Sequence, residues 1–358
     1  MKQERVNNVL EKMAAAGIPQ LVITDPAAVF YLTGTWIHPG ERLLALYLSC
    51  RGNHKLLINA LFPLEAELGI DKVWFNDTQD GVAILSGWIE AGTPVGVDKN
   101  WPAHFLLRLM EQAAGSRFVN GSVIVDQIRQ CKDQQEQELL RQASQLNDLA
   151  MAQLLQLIPG GYSEQQLARR LLVIYDELET GGCSFNPIIA YGANATDPHH
   201  EPDGSTLQAG ESVIIDIGCK KNDYCADMTR TVFYKYVPGR ARKIYDVVLA
   251  ANERAIAGIK PGVRFCDIDA AARAPIEAAG YGKYFTHRTG HSIGLEVHEP
   301  GDVSAANASQ VQPGMTFSIE PGIYLPGVAG VRIEDLVLVT ETGCEVLNKF
   351  DKQLTIVG

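Results

Sequence analysis

Four carboxylates of this 358-residue chain stand in strand-like surroundings: Asp216 in VIIDIG, Asp227 in YCADMTRTVFY, Glu320 in MTFSIEPGIY and Glu334 in GVRIEDLVLVT. A carboxylate inside such a strand is expected to be paired or metal-bound, because burying an isolated charge is costly. The segment IIDIGCKKNDYCAD (214–227) also holds Cys219 and Cys225, which makes sulfur a rival ligand. A two-residue hairpin loop at Lys221-Asn222 would set Asp216 directly opposite Asp227, with Cβ atoms about 5 Å apart on one face. Like charges so placed repel, and a cation between them removes the penalty. Cys219 is three residues from Asp216 and points to the opposite face. Cys225 shares the aspartates' face but lies one pair along, so the two thiols cannot clamp one ion together. Both cysteines are expected to be small buried apolar residues, and Asp223 to be a solvated residue of the turn.

Five of the eight histidines lie between positions 199 and 298: His199 and His200 in DPHHEP, and His287, His291 and His298 in HRTGHSIGLEVHE. Only some of these are expected to be ligands. Strand alternation puts Arg332 and Glu334 on one face and Asp335 on the other. The four carboxylates sum to −4, which two divalent cations balance, and a neutral imidazole completes an oxygen-rich shell. That donor set points to Mn, Co, Fe or Zn in a hydrolytic site and not to a structural zinc. Two ions about 3.5 Å apart and sharing a water would form such a site.

The order Asp, Asp eleven residues later, His in GHSIG, Glu in SIEPG and Glu in VRIED resembles the pita-bread metallopeptidases. That family includes Xaa-Pro dipeptidase (prolidase), aminopeptidase P, methionine aminopeptidase and the metal-free creatinase. The resemblance runs from about residue 125 to the end and implies five metal ligands: Asp216, Asp227, His291, Glu320 and Glu334. It further implies that His199 and His298 bind the scissile carbonyl and wall a proline pocket, with His287 beside them. Arg332 would orient a ligand or the substrate. Glu320 would take a proton from the attacking water and pass it towards the prolyl nitrogen. Two divalent ions are implied as cofactors, manganese first among them, and a homodimer as the working form. TGTWIHPGERLLAL (33–46) looks like the prolidase segment in which a loop precedes Glu-Arg; His38 and Gly40 stand where some prolidases carry an acidic residue and a histidine, and His38 becomes a candidate for substrate binding. EPGDV after His298 lacks the arginine that some prolidases use for a dipeptide carboxylate. The resemblance therefore implies cleavage before proline, with prolidase ahead of aminopeptidase P, and leaves the accepted peptide length open. A creatinase-like amidinohydrolase or a non-catalytic peptide-binding protein fits less well, because no ligand is missing.

These residues need a scaffold, and the length suggests two domains. The reading is an α+β chain: residues 1–125 as a smaller mixed α/β domain, and 126–358 as a pita-bread catalytic domain with an internal pseudo-twofold duplication. In the first part, a helix over 3–16 is followed by strands LVIT, LALYLS and KLLINA, helices FPLEAELG and DGVAILSGWIEAG, and strand PVGVD. A long charged helix over QIRQCKDQQEQELLRQASQLNDLAMAQLLQLI (127–158) opens the second. There LAMAQLLQLIPGGYSEQQLARRLL (149–172) echoes AANERAIAGIKPGVRFCDIDAAAR (251–274) when Pro159-Gly160 is laid on Pro261-Gly262. Both copies read as helix, break, helix, and Ser163 with Gln166 has capping-box spacing. The first copy would supply Asp216 and Asp227, the second the other three ligands. Hydrophobic residues at 46%, charged residues at 20% and a net charge of −11 describe an ordinary soluble protein and argue against a nucleic-acid or membrane-surface partner. The polar start MKQERVNNVLEKM and seven scattered cysteines favour a reducing cytoplasm; the Asn-x-Ser/Thr triplets at Asn120, Asn194 and Asn307 are then chance matches.

The thiols supply the first test. The Cys219→Ala/Cys225→Ala double variant retains its full metal content, measured by plasma mass spectrometry on folded protein; loss of metal would restore sulfur as a ligand.

Overall fold

The computed structural model describes residues 1–113 and 116–358, and the chain forms two compact units, Met1–Arg129 and Gln130–Gly358. The helix Ser122–Gln130 carries the first unit to Arg129, so the division lies at 129/130 where 125/126 was expected. Among the described residues no helix is long and apolar enough to cross a membrane.

The first unit is built on a six-stranded sheet in the order Asp71–Phe75, Lys55–Asn59, Ala45–Ser49, Gln20–Ile23, Pro94–Val97, Arg117–Asn120. Parallel and antiparallel neighbours mix, and Val22, Ala45, Leu57 and Val95 bury one face against Val82, Leu85 and Leu109. FPLEAELG is not helical. The carbonyls of Leu64 and Ala66 accept from the Lys72 ammonium at 3.2 and 3.0 Å, in place of amides one turn on, and only Leu68 of the segment is buried. The helix expected over 80–92 is confined to Gly81–Ser86. A helix at Pro26–Thr33 was not foreseen, although its ends are marked: Asp25 accepts from Ala28 N, Pro26 opens the first turn, and Gly34 closes it in the left-handed region at φ 76°.

The second unit repeats one motif. The helices Gln134–Leu157 and Glu164–Glu177 flank Pro159-Gly160, and Gly239–Ala257 and Phe265–Ala278 flank Pro261-Gly262. The long helix expected over 127–158 is split at Cys131–Asp133, because Asp133 and Glu136 form a capping box that starts a new helix. Ser163 and Gln166 cap the next helix in the same way, as their spacing foretold. The first helix pair packs Met151, Leu154, Leu167 and Leu171 on Ile215 and Ile217. Their sheet runs Thr355–Val357, Met228–Tyr234, Ser212–Ile217, Ile188–Tyr191. The second packs Ala255, Phe265 and Ile268 on Phe317 and Ile319. Their sheet runs Glu299–Val303, Gly290–Ser292, Thr316–Ile319, Asp335–Val339, Cys344–Val346.

The hairpin after Asp216 turns at Asn222-Asp223, with φ of 45° and 73°, and pairs Lys221 with Tyr224 and Lys220 with Cys225. Asn and Asp tolerate the left-handed region that such a tight turn demands, whereas Lys221 does so less readily. The loop is thus one residue later than expected and Asp216 faces Thr229, not Asp227. A two-residue change of partner preserves the face, so Asp227 remains on Asp216's side, diagonal to it.

Each helix–break–helix copy grips a strand through a buried asparagine. Asn147 donates to Ile217 O at 2.8 Å while accepting from Tyr175 Oη at 2.7 Å. Asn252 donates to Ile319 O at 2.9 Å while accepting from Lys352 Nζ at 2.7 Å. Ile217 follows Asp216 and Ile319 precedes Glu320. Asn147→Ala strands a buried carbonyl and is expected to destabilise the protein by about 1–3 kcal/mol; an unchanged denaturation midpoint would contradict this coupling.

Candidate active site

Strand ends and breaks carry the chemistry. Asp216 is the penultimate residue of a fully buried strand, Ser212–Ile217. Asp227 lies in the gap between the strands Tyr224–Cys225 and Met228–Tyr234, and His291 is central in Gly290–Ser292. Glu320 follows Thr316–Ile319. GVRIEDLVLVT, expected as one strand, breaks at Ile333-Glu334: Ala329–Arg332 pairs with Gly322–Leu325, and Asp335–Val339 with Thr316–Ile319. The break is held because Glu334 N donates to Thr229 O at 3.1 Å and Glu334 O accepts from Arg230 Nη1 at 2.6 Å.

The five side chains converge. His291 Nε2 lies 3.6 Å from Asp227 Oδ2 and 3.6 Å from Glu320 Oε1. One ligand atom each of Asp227, His291 and Glu334 falls within 4.8 Å of the others. Asp216 accepts from Arg332 Nη2 at 2.6 Å. Thr229 Oγ1 accepts from Arg332 Nε at 3.1 Å and donates to Glu334 Oε2 at 2.8 Å. Three oxygens are left without any hydrogen-bond partner although buried: Asp216 Oδ1, Asp227 Oδ1 and Glu334 Oε1. Buried carboxylate oxygens are ordinarily bonded, so three orphans in one cluster fit a cation-binding site.

Electrostatics agree. Burial, then the charges of Glu334, Asp216 and Glu320, push Asp227 well above the carboxylate range. Glu334 is raised by burial and by Glu320 and Asp216. Glu320 rises to about 7, chiefly through burial and against the opposing pull of Arg332. Burial lowers His291 to about 3 and His287 to about 4, and it lowers His298 as well. The cluster is therefore crowded with negative charge around neutral imidazoles, an arrangement that divalent cations relieve. The cysteines stand apart. Cys219 Sγ lies 3.4 Å from Ala143 O and Cys225 Sγ 3.5 Å from Leu295 O, and burial pushes both thiols up to about 12.

Asp216, Asp227, His291, Glu320 and Glu334 line a cleft of about 590 Å³ together with His199, His287, His298 and Arg332. Phe185, Pro187, Ile188 and Val297 add apolar wall. Asp335 turns away to Arg230 and Lys352, at 2.8 and 2.7 Å, so Arg332 and Glu334 line the cleft and Asp335 does not, although the strand alternation expected to separate them is interrupted at 333–334. His38 lies outside this set, in a separate hollow of the first unit of about 340 Å³, with Arg42 and Trp101.

Two participants were not anticipated. Thr229 is one, although its place two residues after Asp227 puts it on the same face. Tyr324 is the other: its hydroxyl accepts from Arg332 Nη1 at 2.8 Å and lies 2.8 Å from His287 Nε2. The hydroxyl proton is then free to go to Nε2, and His287 Nδ1, 2.7 Å from Arg288 O, carries the ring's own proton. Nothing in the sequence near Tyr324 besides its strand position signals this.

Comparison with known proteins accords with this geometry. Residues 138–341 match the model of metallopeptidase family M24, and residues 5–131 that of the creatinase/prolidase N-terminal domain. An uncharacterized peptidase of Staphylococcus saprophyticus is 36% identical, covering 98% of this chain and 100% of its own. The crystal structure of a prolidase from Thermococcus sibiricus superimposes with a TM-score of 0.93 at 30% identity, covering 100% of this chain and 99% of its own. That of the dipeptidase PepE from Mycobacterium ulcerans does so with a TM-score of 0.93 at 32% identity, covering 99% and 98%. The chain belongs to metallopeptidase family M24 and has the two-domain, pita-bread architecture of its prolidases.

Relief of repulsion predicts a thermal effect. Mn²⁺ at about 100 times its dissociation constant stabilises by about 2.7 kcal/mol, roughly 5–10 °C for a unit of this size, and a chelator reverses the shift. The Asp227→Ala variant loses the response; a wild type indifferent to Mn²⁺ and chelator would contradict the metal reading.

Proposed function

As a member of metallopeptidase family M24, the protein is a peptidase of a family that depends on two divalent metal ions, and we propose that it hydrolyses the Xaa-Pro peptide bond, as an Xaa-Pro dipeptidase. The observation that carries this reading is the cleft itself: three buried, orphaned carboxylate oxygens open onto imidazoles and an apolar wall of Phe185, Pro187, Ile188 and Val297. Such a wall suits a pyrrolidine ring. The names of the two solved structures, a prolidase and a dipeptidase, support the same substrate class.

In this reading Asp216, Asp227, His291, Glu320 and Glu334 hold two divalent ions, with manganese the first choice and cobalt, zinc or iron the others. When bound, the ions supply Lewis-acid activation of water and polarisation of the scissile carbonyl. Glu320 lines the cleft beside His291 and is the group placed to carry a proton. It accepts one from the attacking water and delivers it to the prolyl nitrogen, which as a secondary amine needs a positioned acid to leave. His199 and His298 bind the carbonyl oxygen from the cleft wall, a kind of donation that is typically worth about 10²–10³ in rate per donor. His287, held neutral by burial and by Arg332, walls the pocket. Arg332 keeps Asp216 in place through its 2.6 Å contact. A cytoplasmic homodimer in which His38 contributes to substrate binding belongs to the same proposal.

Substrate length separates this reading from its rival, an Xaa-Pro aminopeptidase acting on longer peptides. Purified Mn²⁺-loaded protein is expected to release proline from an Xaa-Pro dipeptide and to leave Xaa-Pro-Yaa-Zaa largely intact. Cleavage of the longer peptide alone would favour the aminopeptidase. Absence of cleavage of either, with metal content confirmed, would refute Xaa-Pro hydrolysis.

A further inference from the structure

His199, like His298, is an exposed member of the histidines that line the cleft, and its ring makes no hydrogen bond with the described residues; only its backbone is held, by Asp197 Oδ1 at 3.0 Å. Its position is therefore set by the loop that carries it. That loop is fastened at both ends by one residue that the cleft does not contain. Glu164, the first residue of the helix Glu164–Glu177, has a side chain with 0% exposure. Its Oε1 accepts from Tyr191 N at 2.7 Å and Asn194 Nδ2 at 3.0 Å. Its Oε2 accepts from Asp203 N at 2.9 Å and lies 2.7 Å from His200 Nε2. The backbone adds to the grip: Glu164 N donates to Ser205 O at 3.3 Å and Gln165 N to Asp203 O at 3.0 Å.

A buried carboxylate would be costly unless its lone pairs were used, and here four neighbours use them. Glu164, His200 and Asp203 lie close enough to resemble a metal site, but Glu164's oxygens are already engaged, so the trio is better described as a latch. Its two arms, at 191–194 and 200–203, enclose Pro198 and His199. On the far side of the loop Arg332 Nη1 reaches Pro198 O at 3.4 Å. The loop thus hangs between Arg332 at the reacting centre and Glu164 behind it.

We infer that Glu164, acting with His200, is a positioning residue of the substrate pocket: it fixes the 191–205 loop and so places the unsupported His199 ring for the substrate. This inference rests on the Xaa-Pro reading above for His199's role, but not for the latch. Misplacing a substrate-contacting group by about 1 Å can cost up to 10²-fold in rate, and residues acting through one another give non-additive effects.

The test is a double-mutant cycle on the metal-loaded full chain with an Xaa-Pro dipeptide, joined to ¹⁵N-histidine NMR. Glu164→Gln keeps the shape but replaces one acceptor by a donor facing Asp203 N and His200. It is expected to lower kcat/KM by about tenfold or more with metal content unchanged. The double variant Glu164→Gln/His199→Ala is expected to be no worse than His199→Ala alone. In the spectra, Glu164→Gln shifts or broadens the His199 ring signals while those of His54, in the first unit, stay fixed. His200→Asn serves as the second entry to the cycle if Glu164→Gln does not fold. Multiplicative effects of the two substitutions, or an unmoved His199 signal, would overturn the inference. A wild type inactive on Xaa-Pro peptides refutes the substrate reading instead, and the NMR comparison then still decides the latch.

Discussion

Mutual repulsion among four clustered carboxylates, three of them buried and Glu320 half-buried, is the constraint on which the rest of this structure depends. Asp216, Asp227, Glu320 and Glu334 face one another around His291, which burial keeps neutral. The protein offsets part of the repulsion with its own groups: Arg332 on Asp216, Thr229 on Glu334, and Ser318 Oγ on Glu320 at 3.3 Å. It leaves three oxygens unanswered. A fold under pressure from self-repulsion would be expected to spend every available donor there. The unanswered oxygens fit a cation-binding cluster, in keeping with a family that uses two divalent ions.

Holding such a cluster open demands a stiff frame, and the frame acts on the backbone. Asn147 and Asn252 bind the carbonyls beside Asp216 and Glu320. Arg230 binds the carbonyl of Glu334 itself, then reaches Asp335 and the carbonyls of Phe350 and Asp351. The Arg230–Asp335 pair has side chains only 3% and 1% exposed. Breaking a pair so buried ordinarily costs about 3–5 kcal/mol, because it strands a charge. Close approach completes the frame: a Cβ on Gly290, next to His291, would lie 1.8 Å from Ser318 O, and one on Gly330 would lie 1.6 Å from Ala195 O. Glycine is needed at both points for proximity, not for backbone conformation.

How much of this was legible depends on the range of the interaction. Local periodicity carried the two helix–Pro-Gly–helix copies and the shared face of Asp216 and Asp227, because face is a two-residue property. It missed the hairpin register by two pairing positions, since that depends on which residues tolerate the left-handed region, and Asn222-Asp223 tolerate it better than Lys221-Asn222. It also read Arg332 to Asp335 as one strand, where Thr229 and Arg230, about a hundred residues away, break the ladder at Glu334. FPLEAELG failed as a helix for a similar reason, its carbonyls being taken by Lys72. Tyr324 and Glu164 were invisible because each works through partners that only folding brings near.

The cleft therefore unites a floor of carboxylates, a wall of imidazoles and apolar surface, and a loop that is itself tethered from behind by a buried carboxylate. Anomalous scattering from crystals of the protein grown with Mn²⁺ tests the central claim most directly. Two manganese peaks among Asp216, Asp227, His291, Glu320 and Glu334, with none at Glu164, His200 and Asp203, is the predicted result; an empty cluster, or manganese at the latch instead, would contradict it.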